Sequence, residues 1–240
     1  MSFKVENMEE KNMVKLVIET TAEEFEAGLN TAFNKNKNKI SVPGFRKGKA
    51  PRKMVEKLYG TEIFYEDAFN QVVPAEFDTE DGDILIDGLK SDKTDIAVDA
   101  GDIKLENAEL QSGKITSSDG DIVVKNTNLK GMALTDNYGD VKCNDGSFED
   151  IAVKLNDGDL KLQNTKLTGN IKIDSDYGDV KVIGFDDWND ILVSAKTSYG
   201  DVRINHRLQG KKTEKTFAKK VEKPSAKLEI NCSDGDISIR

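Results

Sequence analysis

Asp119-Gly120-Asp121-Ile122-Val123-Val124-Lys125 is one copy of a pattern that runs through two thirds of the chain. The dipeptide Gly-Asp returns at Gly82, Gly101, Gly120, Gly139, Gly158, Gly178, Gly200 and Gly235, at intervals of 19, 19, 19, 19, 20, 22 and 35 residues. Behind it stands an apolar column, Ile84, Ile103, Ile122, Val141, Leu160, Val180, Val202 and Ile237. A second column follows two residues later: Ile86, Leu105, Val124, Cys143, Leu162, Val182, Ile204 and Ile239. Alternation of this kind describes strands with one buried and one wet face. Each repeat holds a further apolar segment, as in Ile151-Ala152-Val153-Lys154-Leu155, Ile171-Lys172-Ile173 and Ile191-Leu192-Val193. Two short strands cannot form a core alone, so the repeats must stack. The pattern predicts an all-β parallel solenoid over 78–240, with about eight coils of period near 19 and like positions about 4.8 Å apart along the axis. Gly supplies the positive-φ corner, and Asp hydrogen-bonds the turning backbone.

Stacking places Asp83, Asp102, Asp121, Asp140, Asp159, Asp179, Asp201 and Asp236 down one face, which raises the question of calcium. The Gly-Gly-x-Gly-x-Asp repeat of calcium-binding β-rolls is absent. Lys104, Lys142, Lys161, Lys181 and Arg203 stand two residues after their Asp. A charge-compensated turn ladder is therefore expected, with no metal.

The first third is different. Residues 1–77 carry 12 basic and 12 acidic side chains, whereas 78–240 carry 23 and 32 and so hold the whole net charge of -9. Within the neutral part, Lys35, Lys37, Lys39, Arg46, Lys47, Lys49, Arg52 and Lys53 fall in a stretch, Ala27 to Val55, without Asp or Glu. Such a basic island in an acidic chain suggests a polyanionic partner. At its centre is Gly44-Phe45-Arg46-Lys47-Gly48-Lys49-Ala50-Pro51. Gly44 and Gly48 permit tight turns around Phe45-Arg46-Lys47, and Pro43 and Pro51 stiffen the ends, so the tip points outward.

These residues carry a resemblance. Residues 1 to about 77 resemble the N-terminal ribosome-binding domain of the chaperone trigger factor, whose signature is Gly44-Phe45-Arg46-Lys47. The surroundings match too: a hairpin from Phe3 to Thr20, a helix from Ala22 to about Lys39, the loop, then helical Met54 to Gly60. The resemblance implies an α+β N-terminal module and a ribosome-binding site at Gly44, Phe45, Arg46, Lys47, Gly48 and Lys49. It implies docking on the large ribosomal subunit, on protein and RNA beside the tunnel exit, with access to nascent polypeptide. The remaining strands of that domain, the prolyl-isomerase domain and the helical arms are not recognisable after Phe77. Residues 78–240, by their Gly-Asp-Ile-x-Val style of repeat, resemble bacterial adhesin-type β-solenoids, which implies a fold and little about function.

Catalysis has little to work with. The single His206 has no convincing Ser, Cys or Asp partner, Cys143 and Cys232 lack metal-ligand spacing, and no phosphate-binding glycine loop is present. The chain reads as a non-enzyme without a cofactor. The two cysteines fall about three coils apart, roughly 14 Å, beyond disulfide reach. With no apolar signal core and no run of 18 apolar residues, a cytoplasmic location is expected. One segment breaks the repeat: His206 to Lys227, with eight basic and two acidic residues, reads as a solvated excursion from the last coil.

Two readings of the whole stay open. In one, the chain anchors to ribosomes through its loop and the solenoid is a rigid scaffold. In the other, it is a structural or adhesin-like solenoid. There the first module caps the open end, with Phe69 and Val72 of an expected helix over 61–77 packing on the first coil. The junction at Phe77-Asp78 has no Gly, Ser or Pro linker, which leaves a recent or artificial fusion open.

Overall fold

In the computed structural model, which describes residues 2–7, 14–19, 21–72, 75–184 and 188–240, the chain divides into two compact units, Met1–Pro74 and Ala75–Arg240. The first opens with strands β1 (Ser2–Asn7) and β2 (Val14–Glu19), paired antiparallel with Ser2 opposite Glu19. The connection of this expected hairpin, and Thr20, lie outside the described residues.

Helix α1 (Ala22–Asn36) starts at a capping box: Thr21 Oγ1 accepts from the Glu24 amide at 3.2 Å, while the Thr21 amide donates to Glu24 Oε2 at 3.0 Å. Helix α2 (Arg52–Tyr59) follows Pro51 and stops at Gly60, whose φ of 95° no side-chain-bearing residue adopts readily. A 3-10 turn, Thr61–Phe64, leads into α3 (Tyr65–Val72). The single helix expected over 61–77 is thus shorter. Val73 and Pro74 lie outside the described residues, and Ala75 to Phe77 belong to a strand. The helices bury one another: Leu29, Ala32, Val42, Val55, Phe64 and Ala68 form a core, with edge-on ring pairs Phe33–Phe64 and Phe25–Tyr65. Phe69 is half exposed.

The second unit is the parallel solenoid that the repeat predicts. Strand Ala75–Asp81 pairs with Thr94–Ala100, that with Gly113–Asp119, and so on, in register with the 19-residue period. The regular winding makes about six turns rather than eight. The reason is topological. Strand Ala226–Asp234 sits between Lys166–Tyr177 and Ile191–Thr197, so the last repeat in sequence lies between the sixth and seventh in space. Ile237 likewise pairs with both Val180 and Val202.

Each turn has three faces where the sequence suggested two. The third is short, as in Lys90–Ser91 and Glu109–Leu110, and stacks Leu110, Leu129, Phe148 and Leu167 inward. Asn107, Asn126, Asp145 and Asn164, all with φ between 49° and 62°, turn the chain into it. Asn and Asp tolerate this region because their short side chains satisfy local backbone. Both predicted apolar columns face the core, with only Ile84 and Ile204, on the outer turns, partly exposed. Cys143 and Cys232 are buried free thiols, and burial pushes both thiol pKa values up, which makes them inert.

The basic excursion has a structure. Lys211–Lys212 and Thr216–Lys219 form a hairpin whose second strand lies antiparallel against Ile191–Thr197. Phe217 is buried there, and Lys219 Nζ donates to the carbonyls of Asn189 and Ile191 at 2.9 and 3.0 Å. Lys215 Nζ donates to the Tyr199 carbonyl at 2.9 Å. The excursion therefore covers the edge strand that would otherwise offer unpaired backbone, and two of its lysines are occupied in doing so.

Candidate docking loop and the aspartate ladder

The loop between α1 and α2 is built from two consecutive turns. Val42 O accepts from Phe45 N at 3.1 Å and Arg46 O accepts from Lys49 N at 2.9 Å. In each turn the third residue is the glycine, Gly44 with φ 83° and Gly48 with φ 78°. A positive φ at that position is what the tight turn demands. A Cβ on Gly48 would also strike the Asn38 side-chain oxygen. Buried Val42 pins the loop's base, and Tyr59 Oη donates to the Ser41 carbonyl at 2.7 Å.

Phe45, Arg46, Lys47 and Lys49 are exposed, and among the described residues the three cations have no ion-pair partner. Phe45 holds 40% of its surface in solvent, unusual for a phenylalanine with a core at hand. Arg52, counted with the basic island, behaves differently. Its guanidinium bridges Glu26 and Glu56, each at 2.7 Å, and ties α2 to α1. Beside Phe45, Val42, Pro43, Leu58 and Tyr59 line a shallow hollow of ≈ 500 Å³. Leu58 and Tyr59 escape sequence reading because helical apolar residues ordinarily face a core. Their spacing from buried Val55, three and four residues on, even suggests the same face.

On the solenoid, the aspartates of the Gly-Asp corners form a ladder. Asp83 Oδ1 accepts from Asp102 N, Asp102 from Asp121, Asp121 from Asp140, Asp140 from Asp159, Asp159 from Asp179, Asp179 from Asp236 and Asp236 from Asp201, all at 2.8–2.9 Å. The second oxygens meet cations. Lys142 bridges Asp121 and Asp140 at 2.8 and 3.1 Å, Lys181 bridges Asp159 and Asp179 at 3.1 Å, and Arg203 reaches Asp236 at 2.7 Å. Lys104 departs from the expectation and pairs with Glu106 instead, at 3.3 Å. Burial pushes the Asp121 carboxyl up, yet the Lys142 ammonium and the Asp140 amide outweigh it and hold its pKa below the usual range.

Inside the same corner, three residues before each Gly, runs a column of inward side chains, half of them hydroxyls: Thr79, Val98, Ser117, Asp136, Leu155, Ser175, Cys232 and Thr197. Ser117 and Thr197 donate to the carbonyls of Gly120 and Gly235, at 3.1 and 2.9 Å. Asp136 takes this hydroxyl position with a buried carboxyl, toward which the Tyr138 and Asn137 amides point without closing a hydrogen bond of good geometry. Burial first, then the charges of Asp121 and Asp140, push its pKa up to about 7.

The chain belongs to the Toastrack DUF4097 family, whose model matches residues 4–240. A 78-residue segment is 56% identical to the trigger factor of Lachnoclostridium phytofermentans, covering 32% of this chain and 18% of that protein. The trigger factor of Agathobacter rectalis is 61% identical over 70 residues, 29% of this chain and 16% of its own. That of Clostridium botulinum strain Eklund 17B is 57% identical over 70 residues, with the same coverage. The chain thus spans less than a fifth of the length of these curated relatives. No solved structure matches. Among the described residues no helix is long and apolar enough to cross a membrane, and no group of three or more His, Cys, Asp or Glu side chains is arranged to hold a metal ion.

Proposed function

We propose that this chain docks on the large ribosomal subunit near the nascent-chain exit, with residues 1–77 as an incomplete trigger-factor-like module and residues 78–240 as a rigid scaffold. The observation that carries the reading is the loop tip: Phe45, Arg46 and Lys47 are exposed together on two glycine turns, and among the described residues the cations have no ion-pair partner. An exposed ring with two free cations suits a surface shared by protein and RNA, since the cations meet phosphate and the ring packs on protein. Gly44, Gly48 and Lys49 complete the site, the glycines as turn formers. A cytoplasmic location follows from this reading. No prolyl-isomerase activity is expected, because the chain passes from the docking module into the repeat.

Co-sedimentation with purified large subunits tests it. The parent should pellet with them, less so as salt rises. The variant with Phe45, Arg46 and Lys47 all changed to Ala should stay in the supernatant with an unchanged solenoid melt. A variant that pellets like the parent refutes the docking role.

A second reading has its own support: the family match runs almost the full chain, and the solenoid is the larger unit. Here the solenoid's outer surface is the interaction element and the first module caps or merely accompanies it.

A further inference from the structure

We propose that one outward column of the solenoid is a docking surface for a basic segment in the polyproline II conformation. The column is the residue just before each corner glycine: Asp81, Ala100, Asp119, Tyr138, Asp157, Tyr177, Asp234 and Tyr199 in spatial order. Each position is exposed, and the three rings are the extreme cases, Tyr138 at 62%, Tyr177 at 58% and Tyr199 at 79%. They are the only exposed large apolar side chains on the described part of this unit besides Leu85.

The spacing selects the ligand. Tyrosines on alternate rungs stand about 9.6 Å apart, twice the strand separation. A polyproline II helix presents every third residue on one side, about 9.3 Å apart. Successive third residues of such a segment therefore meet Tyr138, Tyr177 and Tyr199 in register. An extended β-strand, repeating on one side at about 6.8 Å, falls out of step after one ring. Aromatic platforms are how Pro-rich segments are gripped, because the preformed helix loses little entropy on docking.

Charge selects further. Between and beyond the rings lie Asp157, Asp234, Asp119 and Asp81, and the adjoining column adds Glu80, Asp99 and Asp176. Neither column contains a Lys, Arg or His. Cations between the prolines would meet carboxylates and the faces of the rings, whereas nucleic acid is repelled. The surface belongs to the solenoid alone and stands whether or not the loop docks on ribosomes.

The probe is a fluorescein-labelled (Pro-Pro-Arg)4 peptide titrated with the full chain and read by anisotropy. Binding is expected. Changing Tyr138, Tyr177 and Tyr199 together to Ser should weaken it by roughly tenfold or more, while changing them to Phe should largely keep it. Asp157→Asn with Asp234→Asn should weaken it as well, and (Pro-Pro-Glu)4 and (Gly-Ser-Arg)4 should not bind. Thermal melts of the Ser variant should match the parent, since the rings are exposed. No binding of (Pro-Pro-Arg)4 overturns the proposal. So does equal affinity for the Ser variant, which would mean charge attraction alone. Tyrosine-dependent binding of cellohexaose or chitohexaose in place of the peptide overturns it in favour of a glycan surface.

Discussion

The amide of Asp121 donates to Oδ1 of Asp102 at 2.8 Å across one whole turn of the solenoid, 19 residues away in the chain. The side chain that begins one turn thus fastens the backbone that begins the next. Asp121 then repeats the act for Asp140 and also holds Lys142. The prediction is that Asp121→Ala destabilises the solenoid by about 1–2 kcal/mol, an amount discounted from a charged hydrogen bond because the side chain is partly exposed. Asp121→Asn keeps the acceptor for the amide and should lose less. Denaturant midpoints of the two variants against the parent decide the order.

Asp136 makes the opposite contribution with pH. Its folded pKa, about 7, lies above that of an unfolded aspartate, so between those values the folded chain holds the extra proton. Its contribution to stability is full below the unfolded pKa, falls as pH rises and is lost above about pH 7. As the neutral acid it has a proton to donate, as Ser117 does one turn away. Asp136→Ser should therefore raise the melting temperature more at pH 8 than at pH 5. An equal shift at both would mean that the carboxyl is not protonated in the fold. Asp121, whose pKa is held low, acts the other way and loses its contribution as pH falls toward the acid range.

Gly48→Ala separates loop shape from loop charge. It leaves Phe45, Arg46 and Lys47 in place but asks a Cβ to fit at φ 78° against the Asn38 side chain. Ribosome co-sedimentation should weaken although the net charge is unchanged, and the cost to the module should be about 1 kcal/mol or more. Undiminished pelleting would mean that charge alone suffices.

A fragment beginning at Ala75 addresses the capping alternative. The core residues of the solenoid form one cluster of their own. We expect the fragment to be monomeric and to melt cooperatively near the parent's solenoid transition. Association, or a melt lower by several degrees, would instead favour a first module that covers the end coil.

The sequence shows the solenoid because its signal is long-range and redundant: eight Gly-Asp corners and two apolar columns all report one period. The third face was equally periodic, in Leu110, Leu129, Phe148 and Leu167, but its strands are so short that alternation within any one of them is invisible. The position of Ala226–Asp234 was not legible at all, since parallel pairing depends on which edge is free and not on order in the chain. In the loop, Gly44 and Gly48 announce their turns through chemistry that only glycine supplies. Leu58 and Tyr59 give no such notice, because an apolar helical residue reads the same whether it lines a core or a surface hollow.

The displaced rung bears on how the molecule is made. A ribosome delivers Ile191–Thr197 before Ala226–Asp234, yet the later strand occupies the place next to Lys166–Tyr177. Winding that simply follows synthesis would seat the earlier strand there, in the wrong neighbour's position. The turns up to Tyr177 can form as they emerge, but the next layer has to be left vacant or be vacated. Completion then becomes a late, long-range closure, the kind of step that sets a slow folding rate. A chain stalled before residue 226 should hold its early turns and lack a finished end.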